Sequence, residues 1–112
     1  MLDAGVRLAL GSDAPVAPLD PWLAMAAAVH RSADGSPPWN SREAITAAEA
    51  LATSVDEQPT VGVGSRGDLV LLDANPLPPA EVAGVSAAIA EHLRTMCVAA
   101  TFVAGRPTHL AL

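Results

Sequence analysis

Apolar positions recur with two different periods along the chain, and the two periods predict helices and strands. In 21–31 and again in 80–95, apolar side chains are spaced by three and four residues, as in a helix with one buried face. Shorter apolar runs at 6–12 and 68–73 predict strands. Because the run in 68–73 is continuous, we expect both faces of that strand to be covered. The pattern is that of an α/β protein.

Capping sequences mark two helix starts. Asp20 precedes Pro21, and Asp is a favoured N-cap residue while Pro fits the first helical position. Thr46 and Glu49 have the spacing of a capping box, which predicts a short second helix. We therefore expect helices to begin near residues 21 and 47.

The last third of the chain predicts a small antiparallel sheet. Residues 97–110 read as a hairpin that turns at Ala104-Gly105-Arg106. We expect strand 68–73 to pair with this hairpin, in a sheet separate from 6–12.

Composition and charge exclude several classes of protein. The chain has 112 residues and a net charge of −6, and its basic residues are all arginine. Such an acidic chain has no basic face for the phosphates of a nucleic acid. No apolar stretch approaches the roughly 20 residues of a membrane span, and the N-terminus lacks the features of a signal peptide. We therefore expect a cytoplasmic protein.

Two side chains have simple structural interpretations. Cys97 is the single cysteine, which excludes an intrachain disulfide and a cysteine-based zinc site. It lies in an apolar run, so we expect a buried, inert thiol. Trp39 lies in a proline-rich loop, and we expect it to anchor that loop to an apolar surface.

Asp13 is the candidate for chemistry. The apolar run Leu8–Leu10 leads into Gly11-Ser12, which presents Asp13 before a proline-stiffened segment, "APVAP". One interpretation is a turn-forming Asp that bonds its own backbone. The other is a carboxylate held in a fixed position to act on a substrate.

Four segments of the chain resemble, in the same order, the C-terminal end of metal-dependent amidohydrolases, in particular the YtcJ-like branch. The segments are "GSDAPVAPLDPWLAMAAAVHR", "ITAAEALAT", "GSRGDLVLLDANPL" and "VAATFVAGRPTH". The resemblance covers essentially the whole chain. It implies a TIM-like (β/α)8 barrel with a small β-sandwich. Residues 1–56 would supply the last barrel strand, with its helices and Asp13, and residues 57–112 the C-terminal sandwich strands with an inserted helix.

The same resemblance implies a function. The family hydrolyses amide or other C–N bonds of small-molecule substrates with a divalent metal, most often zinc. Leu8–Leu10 would belong to the eighth barrel strand. Asp13, at its catalytic end, would approach the metal and act as the general base that takes a proton from the attacking water.

The chain departs from the family pattern in its metal ligands. It has no His-x-His pair and no lysine, and its three histidines are far apart in sequence. We expect His30 to lie at a helix C-terminus, where a partly charged imidazole is favourable, and His92 and His109 to face solvent. A catalytic zinc site takes three protein ligands, and Asp13 alone does not meet that number.

Three hypotheses follow. The chain is a fragment of a metal-dependent hydrolase, from a truncated gene product or a longer protein, and is inactive alone. Alternatively, it is a non-enzymatic remnant, a small α+β module that self-associates or binds a partner. In the third, a complementing chain supplies the missing strands and histidines.

Overall fold

The structure, a computed structural model, describes residues 1–55, 61–77 and 85–111. Short 3-10 helices lie at Leu2–Ala4 and Ser41–Glu43. The regular elements, in chain order, are α1 (Pro21–His30), α2 (Ala47–Ala52), β1 (Leu69–Leu72), α3 (Ser86–Arg94), β2 (Val98–Val103) and β3 (Arg106–Leu110).

Helix α1 begins where the capping residues predict. The Asp20 carboxylate accepts a hydrogen bond from the backbone N–H of Trp22 at 2.9 Å, and Pro21 occupies the first helical position. The helix ends because Arg31 adopts a left-handed conformation (φ 58°, ψ 33°) and donates its backbone N–H to the last turn. The predicted helix 21–31 is therefore confirmed to within one residue.

Helix α2 is started by the predicted capping box. The Thr46 hydroxyl accepts a hydrogen bond from the backbone N–H of Glu49 at 3.2 Å. In return, the Glu49 carboxylate accepts two hydrogen bonds from Thr46, one from the backbone N–H at 2.7 Å and one from the hydroxyl at 2.8 Å. These two hydrogen bonds lower the pKa of Glu49 below its ordinary value of 4.5, since they favour the ionised form.

Helix α3 packs along α1, and the hydrophobic core lies mainly between them. Ile89 and Leu93 are buried as the spacing predicts, whereas residues 80–84 of the predicted helix 80–95 lie outside the described residues. Met25 and Leu93 are the largest fully buried side chains. Buried residues of this core are Trp22, Met25, Ala26, Val29, Ala47, Ala50, Ile89, Ala90, Leu93 and Met96. Alanine is frequent in this set, so the helices approach closely while few large side chains are buried.

The three strands form one antiparallel sheet in the order β1-β2-β3. Leu69 is paired with Phe102 across β1 and β2, and Ala100 is paired with Leu110 across β2 and β3. The predicted pairing of 68–73 with the hairpin is confirmed, and residues 6–12 take no part in this sheet.

The hairpin turn is held against the entry to β1. The Asp68 carboxylate accepts a hydrogen bond from the backbone N–H of Ala104 at 2.8 Å, and the N–H of Gly105 donates to the carbonyl of Gly67 at 2.8 Å. A Cβ atom at Gly67 would lie 2.6 Å from the backbone nitrogen of Gly105. Gly67 therefore permits an approach between two backbones that any side chain would block.

The predicted strand at 6–12 is not formed. Its backbone makes no strand pairing in the described part of the chain, and Leu10 donates its N–H to the carbonyl of Thr53 at 3.3 Å. Leu8 and Leu10 are half-buried, while Val6 is exposed. A strand requires a neighbour to hydrogen-bond with, and the described residues place none beside this segment.

Two expected burials are also wrong. Val70 and Leu71 of β1 are each 49% exposed, because in the described part of the chain a single three-stranded sheet leaves them uncovered. Cys97 is exposed, since it lies between α3 and β2 rather than inside either element. No helix in the described ranges has both the length and the apolar character needed to cross a membrane.

Removal of the Leu93 side chain tests the contact between α1 and α3. Leu93→Ala is expected to lower the free energy of unfolding by about 2–5 kcal/mol, because it leaves a cavity in a fully buried site. Urea unfolding followed by circular dichroism measures this change. Leu110→Ala, at a side chain that is 58% exposed, is the control and should change stability by about 0.5 kcal/mol or less. Equal losses for both variants would contradict this account of the core.

The capping box predicts a specific pH dependence of stability. The pKa of Glu49 is lower in the folded chain than its ordinary value of 4.5, so its stabilising effect is fully present above that pH. The effect is lost as pH falls through the folded pKa. The stability difference between the parent chain and Glu49→Gln should therefore be constant near neutral pH and shrink in acid. Urea unfolding at a series of pH values measures this stability difference. Glu43→Gln is the control, because Glu43 is also an exposed carboxylate. A difference that does not change with pH would contradict the prediction.

Candidate active site

Asp13 lies in the loop between Leu10 and α1, and its side chain is exposed. The residue has a left-handed backbone conformation (φ 51°), which Asp tolerates better than most residues. Its backbone carbonyl accepts a hydrogen bond from Val16 at 2.9 Å and closes a turn. Among the described residues, no hydrogen bond or ion pair involves its carboxylate. The main chain, not the side chain, therefore makes the turn.

Both ends of this loop are fixed to the helical core. At one end, Leu10 packs against the core and bonds the carbonyl of Thr53 at 3.3 Å. At the other, the N–H of Asp20 donates to the carbonyl of Pro18 at 2.8 Å, and the Asp20 carboxylate caps α1. The loop is therefore held on both sides of Asp13.

Two cavities adjoin the loop, and Leu10, Gly11 and Ser12 line both of them. The smaller, of about 300 Å³, lies between these residues and the first turn of α1. The larger, of about 450 Å³, extends along the same face of α1 as far as Arg31. A separate cavity of about 480 Å³ lies between the helices near Ser86 and does not include the loop. A ligand held in the larger cavity would therefore lie beside the residues that directly precede Asp13.

The three histidines lie on three different elements. His30 is the last residue of α1; it is buried, and its Nδ1 shares a hydrogen bond of 2.9 Å with the Ser86 hydroxyl. His92 on α3 is half-buried rather than fully in solvent, and its Nε2 donates to the carbonyl of Asn75 at 2.7 Å. His109 on β3 is exposed as expected. His30 thus has a packing role between two helices in addition to its expected place at a helix end.

The described residues contain no group of three His, Cys, Asp or Glu side chains close enough to hold one metal ion. Asp20, Asp68 and Glu49 each accept backbone hydrogen bonds that fix a helix start or a turn. Asp13 is thus the sole loop carboxylate at this site that the described contacts leave uncommitted, and it could supply at most one metal ligand.

Arg31 and Trp39 form a contact that the sequence does not reveal. The Arg31 guanidinium carbon lies 5.5 Å from the centroid of the Trp39 ring, a cation–π distance, and the N–H of Trp39 donates to the carbonyl of Arg31 at 2.9 Å. Trp39 is 74% exposed, so the expectation that it anchors the loop to an apolar surface is wrong. The pair lies eight residues apart across a loop, so no helical or strand spacing in the sequence relates the two side chains.

Comparison with known proteins identifies the family. A sequence model described as "Amidohydrolase family" matches residues 1–109. The N-substituted formamide deformylase of Arthrobacter pascens is 36% identical over 87 residues, which cover 69% of this chain and 16% of that enzyme. The chain thus spans a small part of the length of this curated relative. No solved structure matches at a significant level. Because the family match extends over nearly all of its residues, this chain belongs to the amidohydrolase family.

Proposed function

We propose that this chain contributes the loop of the general base to a hydrolase that cleaves the C–N bond of a small amide. Membership of the amidohydrolase family supports a hydrolytic reaction, and the similar deformylase is named for N-substituted formamides. The observation that carries the role of Asp13 is its exposed carboxylate, which makes no hydrogen bond to the described residues and lies on a loop fixed at both ends.

The proposed chemistry needs one carboxylate that both accepts and returns a proton. Asp13 takes a proton from a water molecule as the water oxygen bonds to the carbonyl carbon of the amide. The C–N bond then breaks, and the leaving nitrogen takes the proton from Asp13. The products are a carboxylic acid and an amine, so atoms and protons balance. A fixed loop favours both transfers because the carboxylate must stay within hydrogen-bond reach of each partner.

The residues described do not by themselves fit the divalent metal, most often zinc, that the family resemblance implies. A catalytic zinc site takes three protein ligands, and this loop offers one carboxylate. The remaining ligands would have to come from outside the described residues. Asp13 as a metal ligand therefore stays a prediction.

Replacement of Asp13 by its neutral isostere tests the proposed base. In the complete, metal-loaded hydrolase, Asp13→Asn is expected to lower kcat by about 10²–10⁴-fold, because the proton acceptor is lost while the loop geometry is kept. Formate release from N-alkyl formamides measures the rate. Asp3→Asn, which removes an exposed carboxylate at Leu2–Ala4, is the matched control and should leave kcat unchanged. Near-normal turnover by Asp13→Asn would overturn the proposed role.

Zinc binding by the 112-residue chain tests where the metal ligands come from. Because the described residues contain no group of three ligating side chains, the chain is expected to lose all zinc to a competing chelator, and Asp13→Asn should behave identically. Metal content after chelator dialysis is measured by mass spectrometry. Zinc retained in a one-to-one ratio by the parent chain and lost in Asp13→Asn would show that this chain builds the metal site alone.

A further inference from the structure

Arg31 is a cation that has no charged partner in the described part of the chain. Among the described residues, its guanidinium makes no ion pair and no side-chain hydrogen bond, and its Nε is buried with no hydrogen-bond partner. By contrast, Arg66 pairs with Asp68, and Arg94 donates to the carbonyl of Ser32 at 3.1 Å. A partly desolvated positive charge without a partner is unfavourable. Binding of an anion to the guanidinium would supply the opposite charge that the described residues do not provide.

The Arg31 side chain is nevertheless held in place. Its backbone is fixed by the left-handed conformation that ends α1, and its guanidinium lies against the Trp39 ring. An aromatic ring covers a face of the planar guanidinium and leaves the N–H groups at its edge able to donate. Arg31 is therefore oriented before any ligand binds, which reduces the entropy that a ligand must overcome.

Arg31 lines the cavity of about 450 Å³ that begins at Gly11 and Ser12. Between these two ends the wall is largely apolar, with Leu23 and the alanines of α1. Asp20 also lines the cavity, but its carboxylate caps the opposite end of α1 from Arg31. The volume lies in the range of small-molecule sites. The cavity thus offers an apolar middle, a cation at one end and the neighbours of Asp13 at the other.

We propose that Arg31 is a binding residue for the carboxylate of an acidic ligand with an apolar chain. The guanidinium donates two parallel hydrogen bonds to a carboxylate, and the apolar wall accepts the chain. If this ligand is the substrate, the substrate class is amides that bear a carboxylate remote from the scissile bond. This identification of the ligand rests on the proposed function. The binding itself does not.

The test uses the 112-residue chain with hexanoate as the probe and hexanamide as its neutral counterpart. Trp39 adjoins the guanidinium, so its fluorescence reports binding, and calorimetry gives an independent affinity. Hexanoate is expected to bind saturably and more weakly at high salt, and hexanamide at least tenfold more weakly, the size expected for loss of a charged hydrogen bond. Arg31→Gln should reduce hexanoate affinity about tenfold or more. Arg42→Gln, at an exposed arginine of Ser41–Glu43, should not.

Three results would overturn the assignment: no saturable hexanoate binding, equal binding of hexanamide, or unchanged affinity in a folded Arg31→Gln. If circular dichroism shows that Arg31→Gln does not fold, the comparison of hexanoate with hexanamide on the parent chain decides the question.

The carboxylate site and the proposed base can be tested separately. Asp13→Asn should bind hexanoate as tightly as the parent chain does, because Asp13 is not part of the proposed carboxylate site. In the complete hydrolase, a carboxylate-bearing amide should show a KM raised by Arg31→Gln with kcat retained. An unchanged KM in Arg31→Gln would show that the carboxylate site is not part of the substrate site, whereas the binding of hexanoate would still stand.

Discussion

The packing of α1 against α3 is the contact on which the rest of the structure depends. Small side chains on both helices allow the close approach, and Met25 and Leu93 fill the space that remains. Polar contacts at the C-terminal end of α1 add to this packing, because His30 bonds Ser86 and the carbonyl of Ser32 accepts from Arg94. Residues separated by more than 50 positions in sequence are thereby brought to one helix end.

This contact also positions the candidate active site. The loop that carries Asp13 ends at the cap of α1, and the cavity beside the loop runs along α1 to Arg31. Arg31 therefore lies at the C-terminal end of α1, and the loop that carries Asp13 joins the N-terminal end of the same helix. A change in the packing of α3 would move both ends together, so distant core residues contribute to the site without contacting a ligand.

Features set by neighbouring residues were predictable from the sequence. The N-cap at Asp20, the capping box at Thr46 and the hairpin turn at Ala104-Gly105 each depend on contacts within a few residues, and all three are confirmed. A turn at Asp13 was also predictable, although its main chain and not its carboxylate closes that turn. Its catalytic role and the division of the chain at residue 56 stay predictions.

Features that depend on distant parts of the chain were not predictable in the same way. The apolar run 6–12 has the composition of a strand, but a strand forms only beside another strand. Val70 and Leu71 have the pattern of a covered strand, yet coverage requires a second layer that the described residues do not supply. The bond between His30 and Ser86 joins two helices that no local pattern relates. The cavity that ends at Arg31 likewise becomes visible only once α1 and the loop are placed together.

The left-handed backbone at Asp13 and Arg31 carries a cost of its own. Glycine adopts this conformation freely, whereas most other residues give up about 1–2 kcal/mol there and Asp gives up less. Both residues with a proposed role thus occupy positions where glycine would make the fold more stable. A directed-evolution campaign that selects for heat resistance alone would favour glycine at both, and its winners would keep the fold while losing the carboxylate and the guanidinium. Retaining these side chains therefore requires selection for turnover as well as for folding.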